Sequence, residues 1–206
     1  MKRFEDKTIL VTGAGSGIGA ACVRRLFAEG ASIAAADVRK DELDKVVSEF
    51  GNSERIYGAG VDISDRDQVA AFVSGAVRRF GKLDGLVNSA GIRGVGNVLD
   101  TDPEVFRKVL SVNLEGTFNM CQAFARAVRQ AQTQAAVVNL SSAAGIRGVP
   151  NRLPYSASKY GVVSPGGHCP NCGGELVRRP IRPADRLLRH PASTRRVVKP
   201  ARCVPA

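Results

Sequence analysis

Tyr155 and Lys159 stand four residues apart in YSASK, so a helix would place both on one face. A free phenol has a pKa near 10. A neighbouring ammonium stabilises the phenolate and draws that value down. Tyr155 then becomes a usable acid or base near neutral pH. Ser142 lies thirteen residues before Tyr155, at the end of the apolar run AAVVNLSS. A hydroxyl there can hold a substrate oxygen and stabilise charge developing on it. Ser141 is adjacent and reads as a strand-end cap, and the spacing to Tyr155 selects Ser142. This is chemistry for exchanging a proton at the oxygen of a carbinol or carbonyl.

Near the N-terminus, Thr12-Gly13-Ala14-Gly15-Ser16-Gly17-Ile18-Gly19 falls between an apolar run and a helical pattern. The spacing is G-x-x-x-G-x-G. Glycines let the backbone approach a pyrophosphate, and a helix N-terminus supplies free N–H groups and a favourable dipole. Asp37 follows Gly19 by 18 residues, at the end of SIAAAD. A carboxylate there accepts the ribose hydroxyls of adenosine and repels a 2′-phosphate. That favours NAD over NADP. Arg39 and Lys40 lie just beyond and could hold the extra phosphate.

The elements that must position these groups alternate. KTILVT (7–12), SIAAAD (32–37), RIYGAGVD (55–62), LDGLVNSAG (83–91) with its loop, and AAVVNLSS (135–142) read as strands. Between them run helical patterns: one ending at Gly30, a charged one over 41–50, and one capped by Ser64 and Asp65 with Val69, Phe72, Val73, Ala76 and Phe80 on one face. Two further helices are expected over roughly 102–112 and 114–129, and a last one starts near 151–155. Doubly apolar strands alternating with amphipathic helices predict an α/β fold with a doubly wound parallel sheet of the Rossmann type.

TGAGSGIG, Asp62 after the third strand, NSAG at 88–91, Asn113, the serine after the fifth strand and YSASK occur in the order of the short-chain dehydrogenases/reductases. The chain resembles that family over residues 5–163. It is similar to 3-oxoacyl-acyl-carrier-protein reductase-like members. The resemblance implies that Gly13, Ser16, Gly17, Ile18, Gly19 and Asp37 bind the cofactor. Asp62 and Ile63 would contact adenine, and Asn88, Ala90 and Gly91 would border the cofactor and stabilise the sheet. Ser89 stands where the family usually has Asn. Asn113 would anchor a water that links Lys159 to solvent, and Lys159 would also hold the nicotinamide ribose. The catalytic set is then Asn113, Ser142, Tyr155 and Lys159, with Tyr155 and Lys159 also touching cofactor and no metal at the site.

The chain has 206 residues and a formal net charge of +11. Residues 1–163 carry 21 Lys+Arg against 17 Asp+Glu, and residues 164–206 carry 9 against 2. Most of the excess therefore sits in a tail without Phe, Tyr or Trp, which offers no stacking platform for bases. Specific nucleic-acid recognition is not expected. No apolar run is long enough to span a membrane. The first strand begins without an h-region or cleavage site, so a cytoplasmic protein is expected. Cys22 and Cys121 fall in helical patterns and read as small core residues.

After Val163 the family pattern stops. Residues 1–163 read as the dinucleotide-binding and catalytic domain, and 164–206 as an irregular Arg/Pro-rich tail holding seven of the ten prolines. Ser164-Pro165-Gly166-Gly167 should stop the last helix one turn past Lys159. One reading of the tail is a frame-shifted G/C-rich gene: Ala192–Arg195 written GCG TCA ACG CGG contains Val-Asn-Ala in another frame. The other takes His168-Cys169-Pro170-Asn171-Cys172 as half a zinc knuckle, with Cys203 and His190 as the remaining candidate ligands. The family's sixth and seventh strands and its substrate cover would be missing. The expectations are lower stability, aggregation, weak turnover and doubtful formation of the family's dimers or tetramers. Two functions follow: an NAD-dependent oxidoreductase on a secondary alcohol or ketone, or a nucleotide-binding remnant without catalysis.

Overall fold

The computed structural model describes residues 2–163. Five strands form one parallel sheet: β1 (Thr8–Thr12), β2 (Ser32–Asp37), β3 (Ile56–Gly60), β4 (Gly85–Asn88) and β5 (Ala136–Asn139). Their order is β3-β2-β1-β4-β5. The order reverses between β1 and β4, and open α/β sheets bind ligands at the carboxyl ends of their strands at that point. The register pairs Thr12 with Ala36 on one side and with Asn88 on the other. Three strand ends thus finish level beneath one crevice.

Successive side chains of a strand point to opposite faces, and both faces here are covered. On one face Leu10, Ala34, Ala36 and Leu86 meet Phe72 and Val73 of α3 (Arg66–Phe80) and Met120 and Phe124 of α5 (Gly116–Gln130). On the other, Ile9, Val11, Ile33 and Ala35 meet Ala20 and Val23 of α1 (Gly17–Ala28) and Leu43 and Val46 of α2 (Lys40–Ser48). Fully burying such a side chain contributes about 1.5–3 kcal/mol. The cores therefore fix the strand ends on which the crevice is built. Cys22 and Cys121, the cysteines among the described residues, are half-buried, Cys22 against the α1/α2 core and Cys121 against the α3/α5 core.

The helix ends follow local chemistry. Asp65 caps α3, accepting from the Asp67 and Gln68 N–H groups. Gly30, at φ +101°, turns the chain from α1 into β2. One expectation fails: α4 (Pro103–Leu110) and α5 are not separate helices. They run together through a π-helical turn, Ser111–Glu115. No Gly or Pro interrupts Leu110–Glu115, so nothing breaks the helix, and one extra residue is absorbed as an i→i+5 turn, with the Gly116 N–H donating to Ser111 O. The strands β3 and β5 are shorter than their apolar runs. The last helix, α6, is Leu153–Val163. The proposed boundary at 163, the helix stop at 164–167, and His168, Cys169, Cys172, His190 and Cys203 lie outside the described residues. Among the described residues no helix is long and apolar enough to cross a membrane.

Candidate active site

The glycine turn joins β1 to α1 under tight constraint. A Cβ on Gly13 would sit 2.8 Å from the Ala90 main chain, and one on Gly19 would collide with the Gly13 carbonyl oxygen. Gly17 has φ +54° and open space where its side chain would be. Ser16 occupies the N-cap of α1 without a side-chain cap bond, and the first turn holds no acidic residue. The leading N–H groups of α1 are thus not capped by a side chain, which suits an anion. Ile18 stands 64% exposed beside them. A cradle that a Cβ would fill, opposite an uncapped helix end, fits a dinucleotide pyrophosphate.

Asp37 is buried at the end of β2. Its carboxylate accepts from the Gly15 N–H and the Arg39 N–H, both at 2.9 Å, leaving a lone pair on each oxygen. The Arg39 guanidinium donates to Ser16 Oγ at 2.8 Å, so a cation lies across the mouth of the same pocket. Asp62 folds back on Ser64, accepting from its N–H and its hydroxyl. The hydroxyl bond is the main cause holding the Asp62 carboxyl below the usual carboxylate range. The Ile63 side chain points into the core, where a Cβ on Gly116 would strike it, so only its main chain is left for a base. Asn88 bridges strands by donating to Asn139 Oδ1 at 2.8 Å. Ala90 and Gly91 follow it at the rim, where a Cβ on Gly91 would lie 3.6 Å from Lys159 Nζ.

Tyr155 and Lys159 do share one face of α6. The ammonium lies 5.8 Å from the centre of the Tyr155 ring. Lys159 is buried, donates to Leu140 O at 2.9 Å, and has no carboxylate partner among the described residues. Burial pushes its pKa below the ordinary value. Ser142 is half-buried, and its hydroxyl accepts from the Ala144 N–H at 3.2 Å. Ser141 instead donates to Lys159 O, tying β5 to α6. The two serines thus differ: Ser141 donates into the protein, while the Ser142 hydroxyl accepts a hydrogen bond and keeps its proton to donate.

Asn113 is fully buried within the π turn. Its amide donates to Ile92 O and Ser158 Oγ, and its carbonyl oxygen accepts from the Ile92 N–H. Those contacts occupy the side chain. A water at this point would have to use the main-chain carbonyl, which already accepts from Thr117 Oγ1.

A family model described as short chain dehydrogenase matches residues 7–165. The chain belongs to the short-chain dehydrogenase family. It is 39% identical to levodione reductase of Leifsonia aquatica over 78% of this chain and 61% of that protein. It is 37% identical to the 3-oxoacyl-acyl-carrier-protein reductase of Thermotoga maritima over 87% of this chain and 72% of that protein. The crystal structure of NAD+-bound xylitol dehydrogenase superposes with a TM-score of 0.74 at 35% identity, covering 79% of this chain and 63% of that one. The chain therefore spans about three-fifths of levodione reductase and of xylitol dehydrogenase.

Several residues that hold the site of this family member had no role assigned to them from the sequence. Thr12 is buried, and its hydroxyl accepts from the Ser89 and Ala90 N–H groups, fastening the β4 loop to β1. Ser158 links Asn113 to α6. The Leu140 carbonyl holds the lysine. Main-chain acceptors have no residue signature. Ser158 was readable only as a small polar residue on the inner face of α6.

Proposed function

We propose that residues 1–163 form a dinucleotide-binding and catalytic domain that moves hydride between a nicotinamide cofactor and a secondary alcohol or ketone. The observation that carries this reading is the buried Lys159 ammonium beside Tyr155, at the end of the crevice that the glycine turn opens. Gly13, Ser16, Gly17, Ile18 and Gly19 would hold the pyrophosphate, and Asp37 the adenosine ribose. Asp62 and Ile63 would border adenine, while Asn88, Ala90 and Gly91 line the crevice. The cofactor would supply or accept the hydride.

The chain's own residues handle the proton. Tyr155 gives a proton to the substrate oxygen in reduction and takes it back in oxidation. Lys159 stabilises the phenolate with a charge that no carboxylate among the described residues neutralises. Ser142 donates to the same substrate oxygen, and Asn113 holds the loop and helix on either side of Lys159. Asp37 makes NAD the preferred cofactor. The exposed Val95, Val98, Ile146 and Val149, on the loops after β4 and β5, suit an apolar substrate body.

The test is turnover of a ketone and alcohol panel with NADH or NAD+, repeated on Tyr155→Phe. Turnover lost on that substitution, with NADH fluorescence quenching retained, supports the reading. The alternative reading is a nucleotide-binding remnant without catalysis. Its mark is NADH quenching without turnover of any panel member.

A further inference from the structure

We propose that the Gly96 main chain anchors the first turn of α6 and so positions Tyr155. This rests on the reading of Tyr155 as the proton-exchanging group. Arg152 precedes α6, and its guanidinium has no acceptor to offer the free N–H groups of the turn. The missing acceptor comes from another loop. The Leu153 N–H donates to Gly96 O at 3.0 Å, and the Gly96 N–H donates to Asn151 O at 3.1 Å. The pair forms an isolated parallel bridge between Gly96 and Arg152, outside the main sheet.

The loop that supplies this anchor is itself fixed. Asn97 Oδ1 accepts from the Leu99 and Asp100 N–H groups at 2.7 and 3.1 Å, and the Thr101 N–H donates to Asn97 O at 3.1 Å. Gly96 has φ +144°, and a Cβ there would clash with Thr101 Oγ1 and lie 3.2 Å from its Cα. Only glycine fits both constraints. A Cβ on Gly94 would lie 2.9 Å from Pro154, so the same loop packs against the first turn of α6. Asn151 completes the bridge at φ +53°.

Tyr155 is two residues past the anchored N–H. One turn later the helix is held again, by Ser158 donating to Tyr155 O at 2.7 Å and by Ser141 donating to Lys159 O. With its later end tied to β5 and its first turn tied to the β4–α4 loop, α6 cannot roll freely.

The experiment compares the full chain with Gly96→Ala, Asn151→Gly and Asn151→Val, by hydrogen–deuterium exchange and by steady-state kinetics. In Gly96→Ala, the amides of Leu153 and of residues 155–157 should exchange about tenfold faster, the equivalent of one lost hydrogen bond. Amides of α1 should be unchanged, with NADH-binding stoichiometry intact. kcat should fall about tenfold or more while KM for NADH stays within about twofold, as a displaced proton donor requires. Asn151→Gly accepts the positive φ and should retain protection and rate. Asn151→Val should lose both, and it supplies the same readings if Gly96→Ala does not fold. Unchanged exchange at Leu153 and at 155–157 in a folded Gly96→Ala or Asn151→Val chain overturns the anchor. So does a kcat that falls only in proportion to the NADH-binding fraction. If the unsubstituted chain turns over nothing, the oxidoreductase reading fails, and the exchange data still decide the anchor.

Discussion

Gly17 and Gly19 are two residues apart in one turn, yet alanine should act on them differently. At Gly19 the added methyl meets the Gly13 carbonyl oxygen, and the Gly13 carbon lies at 2.6 Å. Restoring ordinary contact requires the loop to retreat by about 1 Å. That strain costs about 1–3 kcal/mol, which lowers Tm by roughly 3–10 °C in a domain of this size. The retreat also pulls the N–H groups off the pyrophosphate, so NADH affinity should fall at least about tenfold. At Gly17 nothing lies within 4 Å, and the cost is the positive φ alone, about 1 kcal/mol or 2–4 °C. Its methyl would point into the space the phosphates need, so NADH affinity should fall as far as in Gly19→Ala while more stability is kept. Differential scanning fluorimetry and NADH fluorescence titration read the two effects separately. Gly19→Ala with native Tm and native affinity would refute the steric argument. Gly17→Ala with native affinity would place the phosphates elsewhere.

Three further outcomes follow from the charges. The Arg3 and Arg25 guanidiniums hold the Glu29 carboxyl down to about 2, from an ordinary value near 4.5. A depressed carboxylate contributes stability that is present above the unfolded value and lost as pH falls through the folded one. The urea-midpoint difference between the native chain and Glu29→Gln should be constant above about pH 5 and gone near pH 2. Arg39→Gln should weaken NADPH binding and leave NADH within about twofold, because Asp37 keeps its bond to Gly15; equal losses for both nucleotides would contradict this. Lys159→Met should abolish turnover yet raise the denaturation midpoint at pH 7. The gain should fade as pH approaches 10.5, since a buried ammonium is penalised only while it is charged. A midpoint that falls at pH 7 would show that the Leu140 hydrogen bond outweighs desolvation.

Much of the scaffold was legible because its signal is local. SIAAAD is apolar on both faces, ends in a carboxylate, and is β2 from Ser32 to Asp37. RIYGAGVD overran β3, since the ladder ends at Gly60: Val61 keeps one bond to Asp37 O and a place in the core, and Asp62 turns to Ser64. The π turn was missed because helical periodicity cannot distinguish one wide turn from a break. The only local clue is Asn113, a polar residue among apolar neighbours, and its meaning depends on partners at Ile92 and Ser158, 21 residues upstream and 45 downstream.

The candidate site divides the same way. Side chains that do chemistry announce themselves by type and spacing, as Tyr155, Lys159, Ser142 and the glycine turn do. The groups that aim them are largely main-chain atoms: Leu140 O on Lys159, Gly96 O on the first turn of α6, and the Gly15 N–H on Asp37. Any residue can supply such an atom, so its identity carries no information unless the backbone must also take a conformation that few residues tolerate. Gly96 meets that condition at φ +144°, and Leu140 does not. Substitution at Leu140 should therefore be tolerated wherever the strand survives, whereas at Gly96 a methyl in place of the hydrogen should disturb a helix in another part of the sequence.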